Sequence, residues 1–445
     1  MKQFNKGLDA NKIKELSSIK NEPSFMLQYR LDSYNKFKKF KMPDFGPKIN
    51  LNFDNIRYYK SIDKEIVNNW DKVDKNIKKT FDNLGLKATE EKYLSGMHVQ
   101  YESEGIYRNM INEINEKNVI FLDTDEALKK YPDIFKKYFG KLVKNDDNKF
   151  AALNSSVWSG GTFIYVPKNT TLTRPLQSYF RINSKDMGQF ERTLIIVDDN
   201  SSLHYIEGCT APSYTSDSLH AAVVEIYVGK NAKCRYTTIQ NWANNVYNLV
   251  TKRAQVEENG LMEWIDGNIG SKVTMKYPCC VLKGDYSKGT CTTIALADKG
   301  QIQDTGAKMI HIGKHTKSNI LSKSIARNGG EASYRGLVKI LDNSSNSIAN
   351  IKCDTMVLDD KSKSDTYPTN VCNNNNSSIE HEATVSRINP DNLFYLMTRG
   401  LDEKSATELL IMGFLQAFTD ELPLEYAVEL NNLLKDKPIN CVIKK

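Results

Sequence analysis

Between Phe150 and Pro390 the chain turns at nearly constant intervals, and that beat restricts the folds open to it more than any other feature. VPKNT begins at Val166, VDDNS at Val197, VGKNA at Val228 and VEENG at Val256, in steps of 31, 31 and 28 residues. Turns then come about twice as often, with ADKGQ at Ala297, IGKHT at Ile312, ARNGG at Ala326 and LDNSS at Leu341, in steps of 15, 14 and 15. The runs between them are β-branched and aromatic and have no helical period. A unit of about 30 residues divided into two strand-turn halves suits a parallel β-solenoid, whose coils bury their inner faces only against each other. An antiparallel sandwich of regular hairpins is the other reading, and spacing alone leaves both open. No six-residue beat supports a hexapeptide left-handed helix.

The flanks read differently. Residues 1–149 form a mainly helical region: Asp9 is a cap before Ile13 and Leu16, Pro23 suits a first helical turn, and Leu27, Leu31 and Tyr34 share a face until Pro43 and Gly46 end the pattern. Leu51 to Tyr59 reads as a short extended piece. The β core spans 150–389, and 390–445 form a helical domain. There Ala406, Leu409, Leu410, Gly413, Phe414 and Ala417 follow a helical series behind an Asp402 cap, continued by Leu424, Ala427, Val428 and Leu434. These helices either cover the open solenoid end or offer a docking face.

Composition narrows the function. A net charge of +7 over 445 residues, without a clustered basic face, gives no nucleic-acid footprint. No window of 18 apolar residues suggests a membrane span, and the N-terminus has no signal-peptide core, so a reducing compartment is expected. The eight cysteines contain no C-x-x-C, so metal chemistry would have to combine ligands distant in sequence.

Enzyme signatures fail on specific residues. His381-Glu382-Ala383-Thr384-Val385 lacks the second histidine of H-E-x-x-H, and Gly313-Lys314-His315-Thr316 lacks parts of a P-loop. Asp198-Asp199, the candidate acidic pair for a β-solenoid lyase, reads as a turn. Thiolates bind soft metals and carry sulfur. Cys209 stands in Glu207-Gly208-Cys209-Thr210-Ala211-Pro212 at a strand end, and Cys353 in Cys353-Asp354-Thr355-Met356. Cys234, Cys279, Cys280, Cys291, Cys372 and Cys441 read as small buried apolar residues. Glu380-His381-Glu382 is the densest ligand-type cluster, but strand parity sets both glutamates on one face and His381 on the other, so a shared site needs a bend or another subunit. Arg181 with Asn183, and Gln240 with Trp242, are i, i+2 pairs that would be costly facing inward unless hydrogen-bonded.

The strings KNEPSFMLQYRLDSY (20–34), EGCTAP (207–212), LHAAVVEI (219–226), TIQNW (238–242), KYPCC (276–280), DTGAKMIHIGKHTKS (304–318), CDTM (353–356) and IEHEATVSRI (379–388) closely resemble the SufB branch of the SufB/SufD family of the SUF iron-sulfur cluster assembly system. SufD paralogues typically lack the paired CDTM and IEHEAT strings. The resemblance implies a right-handed parallel β-helix between helical ends, acting as a scaffold and not as an enzyme. Its implied partners are a SufC-type ATPase at the C-terminal helices, a SufD-type paralogue or a second copy, and a cysteine desulfurase relay supplying sulfur. It implies that Cys209 accepts persulfide sulfur and that Cys353, His381 and Glu382 hold a nascent, transient iron-sulfur cluster. Arg181, Asn183, Gln240, Trp242 and Lys252 match positions of the family's sulfur path, which Glu380 joins.

The chain departs from the family after CDTM, where Ser362, Lys363, Ser364 and Asp365 replace a Cys-Gly-Ala-His common in relatives. That keeps a structural SUF subunit without cluster-building activity as one rival; from the enzyme class, a β-helix carbohydrate lyase or hydrolase is another. The expected location is bacterial cytoplasm, or an organelle stroma if organelle-encoded.

Overall fold

The computed structural model describes residues 2–61, 66–74, 78 and 93–422. Among them the turn beat is that of a parallel β-solenoid of about 8 turns. Its coils lay down two sheets, one 10-stranded and one 13-stranded. In the first sheet, parallel rungs begin at 176, 202, 233, 261, 288, 317, 348 and 378, so the coil stays near thirty residues throughout. The halved turn interval is therefore not a shorter repeat. The early turns mark only the passage from second sheet to first, whereas ADKGQ and ARNGG mark the opposite edge.

Asparagine makes the first set of turns possible. Asn169, Asn200, Asn231 and Asn259 have φ of 59°, 58°, 55° and 55°, a left-handed conformation that asparagine tolerates better than most residues. The stack also bonds to itself: Asn200 Nδ2 donates to Asn169 Oδ1 and Asn231 Nδ2 to Asn200 Oδ1, both at 3.0 Å. Inside, alternate residues of each strand meet in columns. Tyr205, Tyr236 and Trp264 follow one another edge-on and tilted, with ring centroids 5.0 and 5.2 Å apart.

The N-terminal region is not only helical. Helices Ala10–Ile19, capped by Asp9, and Ser24–Lys39, following Pro23, pack with helix Lys149–Val157. The same region supplies strands Gly96–Tyr101 and Glu104–Met110 to the first sheet and Ile120–Asp123 to the second. Glu104–Met110 pairs antiparallel with Gly96–Tyr101, and Ile120–Asp123 antiparallel with Thr162–Val166, so the solenoid's first end is occupied by its own chain.

At the other end the described helices, Pro390–Thr398 and Glu403–Thr419, do not act as a cover. Helix Glu403–Thr419, capped by Asp402, lies along the outer face of the first sheet, with Ile411, Leu415 and Phe418 packed in one cluster with Ile239, Ile265, Ile294 and Ile325. Of the expected stripe only Ala406 is fully buried, while Leu409, Gly413 and Ala417 are exposed. The helix is apolar around much of its circumference, and the sheet takes the Ile411 side. Leu424, Ala427, Val428, Leu434 and Cys441 lie outside the described residues. Among the described residues the last rungs, Lys363–Cys372 and Ser378–Ser386, are left open, with Tyr367 44% and Val385 57% exposed.

Candidate functional site

Parallel register makes the interior of the solenoid legible position by position. On the first sheet, Ser178, Glu207, Thr238, Asp266, Thr293, Ser322 and Cys353 pair rung to rung in one inward column. The next column contains Cys209, Gln240, Asn268, Ala295, Ser324 and Thr355. Cys209 and Cys353 therefore face the same enclosed space. Five rung steps separate their strands, roughly 24 Å at the usual spacing of neighbouring strands.

Around Cys209 the space is polar and buried. Its Sγ stands 3.9 Å from Glu207 Oε1, and Tyr236 Oη donates to Glu207 Oε2 at 2.5 Å. From the second sheet two lysines enter. Lys252 Nζ donates to Thr238 Oγ1 at 2.7 Å and stands 3.4 Å from Asp266 and 4.0 Å from Glu207. Lys276 Nζ donates to Gln240 Oε1 at 2.8 Å and pairs with Asp266 Oδ2 at 3.0 Å. Gln240 Oε1 also accepts from Asn248 Nδ2 at 2.8 Å, and Asn248 in turn meets His220, whose other ring nitrogen lies 2.6 Å from Glu191. Trp242 packs in the Cys209 cluster with its ring 4.6 Å from His220.

Burial sets the protonation states here. It pushes the Cys209 thiol well above the usual range, and Glu207 and Glu191 add to that push. Burial likewise raises the Glu207 carboxyl, against the pull of Lys252. Burial also brings the Lys276 ammonium down to about 8, although Asp266 opposes it. For Asp266 burial is overcome, and Lys276 and Lys252 hold its carboxyl below the usual range. The resting Cys209 is thus a neutral thiol among groups able to take or give a proton.

At the far end, Cys353 Sγ lies 3.5 Å from His381 Nε2, and Asn370 Nδ2 is 3.3 Å from the other ring nitrogen of His381. Burial pushes the Cys353 thiol up to about 12, against the pull of the Tyr334 hydroxyl. Burial lowers His381, so its imidazole is neutral and available as a ligand. Glu382 is not with them. It pairs outward with Lys352 at 3.4 Å, and Glu380 is exposed on that same side of the strand. Among the described residues no three His, Cys, Asp or Glu side chains converge to hold a metal ion. One thiol and one imidazole suit iron, and a full coordination sphere needs ligands from elsewhere.

The remaining candidates separate. Gln240, Trp242 and Lys252 line the Cys209 chamber. Arg181 is one residue out of phase with it: Phe180 pairs with Cys209, and Arg181 Nη1 donates to Thr210 Oγ1 at 3.1 Å. Asn183 lies beyond the strand end, where its backbone N–H bonds Glu102. Cys234, Cys279, Cys280 and Cys291 are buried, as expected of small apolar residues, whereas Cys372 is exposed because its strand belongs to the open end. Sequence reading missed Asp266 and Lys276, and Asn370 beside His381. Asp266 was findable by stepping one coil at a time from Glu207.

A family model described as the SUF system FeS cluster assembly SufBD core domain matches residues 180–414, and one described as the SufBD protein N-terminal region matches 14–178. The chain is 58% identical over 431 residues to iron-sulfur cluster assembly SufBD family proteins of Staphylococcus aureus strains MRSA252 and USA300, covering 97% of this chain and 93% of each relative. A protein of the same description from Staphylococcus haemolyticus is 57% identical over the same length.

Proposed function

Because this chain belongs to the SufBD family of the SUF iron-sulfur cluster assembly system, we propose that it is a scaffold subunit that takes up sulfur at Cys209 and iron at Cys353 and His381. The observation carrying this reading is the enclosed polar lane joining the two cysteines, since a buried run of acids, lysines and hydroxyls is costly unless it has work to do. The iron-sulfur cluster is cargo, built and passed on.

Uptake at Cys209 is thiol-persulfide exchange. The Cys209 thiolate attacks the outer sulfur of a donor persulfide, a new S–S bond forms, the donor's S–S bond breaks, and the donor cysteine leaves as a thiolate. The proton from Cys209 needs a base, and Glu207 is the neighbouring carboxylate. Cys209 is only 1% exposed, so delivery requires the bend after Thr210 to open. Small hydroxyls at Thr293 and Ser322 keep the lane polar toward Cys353.

At Cys353, iron displaces the thiol proton and is held with neutral His381. Glu382 points away from that pair, so a SufD-type paralogue or a second copy seated on the open rungs is the natural source of further ligands. The same geometry favours a second reading, a structural subunit whose ligand set is never completed. The exposed side of helix Glu403–Thr419, with Leu409, Gly413 and Ala417, is the proposed seat of a SufC-type ATPase. ATP turnover belongs to that partner, as no phosphate-cradling loop occurs in the sequence.

The test is a desulfurase pulse followed by persulfide trapping, then anaerobic loading with iron. Sulfur is expected on Cys209 first and none on Cys353 in Cys209→Ser. Normal labelling of Cys353 in that variant sinks the relay, and no chromophore with any partner present leaves the structural reading standing.

A further inference from the structure

Outside the lane, a cavity of about 330 Å³ opens where the N-terminal region meets the outer face of the second sheet. Its walls are the loop 40–45, the start of helix Lys149–Val157, and strands Val246–Val256, Val273–Lys276, Cys279–Leu282 and Lys308–His311. Its volume falls at the lower end of small-molecule sites, about 300 to 1,000 Å³. Two kinds of group line it. Phe40, Phe45, Phe150 and Tyr277, with Met275, make an aromatic and apolar surround, and Lys41, Lys149, Arg253 and Lys308 supply four cations, the ammonium of a fifth lining residue, Lys252, being held inside the solenoid by Thr238 and Asp266.

The charges do not balance. Asp147 is the one acid in the lining, and Arg253 Nη1 already holds it at 2.7 Å. Among the described residues Lys41, Lys149 and Lys308 have no carboxylate partner. Lys149 Nζ instead bonds the carbonyls of Phe37 and Phe40 at 3.1 and 2.7 Å and sits 4.4 Å over the Phe37 ring. Lys308 Nζ sits 5.4 Å over the Tyr277 ring. Burial lowers the Lys149 ammonium, as follows from desolvation without a counter-charge. Cys279 adds no anion, because burial pushes its thiol up.

We propose that this cavity binds a small aromatic phosphate monoester, its ring against Phe45, Phe150 and Tyr277 and its dianion among Lys41, Lys149 and Lys308. Flat rings pack on such a lining, and a dianion neutralises most of three unpaired ammonium groups. A single carboxylate leaves two of them unmatched, and inorganic phosphate leaves the aromatic wall wet.

Calorimetry on the full chain with 1-naphthyl phosphate, 1-naphthol and inorganic phosphate tests this. Saturable binding of the ester is expected, at least about tenfold tighter than either fragment and weakening with salt. Lys308→Glu and Lys41→Glu, at half-exposed and exposed positions, should each weaken the ester about tenfold without changing naphthol binding. Thermal unfolding reports whether each variant is folded, and Lys308→Gln replaces any that is not. Equal affinity for naphthol, equal affinity for phosphate alone, undiminished binding in the charge variants, or no saturation by the ester would each overturn the proposal.

Discussion

The middle rungs of the solenoid and its last rungs share register and repeat, yet a salt bridge enclosed between the sheets of the first and one on the outer side of the last have opposite surroundings. Lys276 and Asp266, 3.0 Å apart, form a salt bridge with side chains 0% and 2% exposed. Lys352 and Glu382, 3.4 Å apart, form one with side chains 50% and 64% exposed. The first pair has neighbours on both sheets and rungs above and below. The second lies on the outer side of the terminal rungs. The strand face a charge stands on, more than residue type, thus decides whether it is a structural commitment or a surface feature.

The sharpest break in that comparison is at Cys353, which has the lane on one side and the open end on the other. Cys353→Ser keeps the size but loses the soft ligand, and should abolish cluster formation in anaerobic reconstitution followed by visible absorption. Unchanged yield and spectrum in that variant would remove Cys353 from the site. His381→Asn should reduce yield less, by about tenfold or more.

Next in size is stability. Asp266→Ala strands two buried lysines and should cost about 3–5 kcal/mol in denaturant unfolding. Glu382→Gln, in the exposed pair, should change stability by no more than about 1 kcal/mol. Equal losses would mean that the two halves do not differ as described.

A pH dependence should follow from the enclosed pair alone. With Lys276 at about 8 in the folded chain against its ordinary 10.5, the unfolded chain binds the extra proton between those values. Stability from this group therefore rises as pH goes from about 8 to 10.5, and is lost on the way down. Lys276→Met should flatten that slope in denaturant titrations at constant salt, and an unchanged slope would contradict the assignment.

The smallest effect on the fold belongs to the open end. Val385→Lys should leave unfolding within about 0.5 kcal/mol of the parent while weakening pairing with a SufD-type partner or a second copy in sedimentation. Pairing that survives this change and a charged Tyr367 variant would place the partner elsewhere.

The coils were legible because each turn must reverse the chain at a fixed length, and VPKNT, VDDNS, VGKNA and VEENG carry an asparagine suited to the left-handed turn. Parity correctly separated Glu380 and Glu382 from His381, since alternation along a strand is local. What sequence could not supply was depth. Asp266 and Lys276 look like ordinary surface residues until the two sheets close over them, and Cys372 looks buried until its rung proves to be near the last. The helix Glu403–Thr419 misled for a related reason: its apolar residues nearly encircle it, so periodicity alone does not pick the side that the sheet will take.

The stacked asparagine turns make the solenoid a ruler graduated in whole coils. Removing one complete coil between Cys209 and Cys353 preserves which residues face inward and shortens their separation by about 4.8 Å. Removing a single residue from a strand does the opposite: it leaves the length and inverts the facing of everything between that point and the next turn. Evolution of such a chain is therefore quantised, with indels tolerated inside turns or as entire repeats, and the reach between the two cysteines can change only in steps.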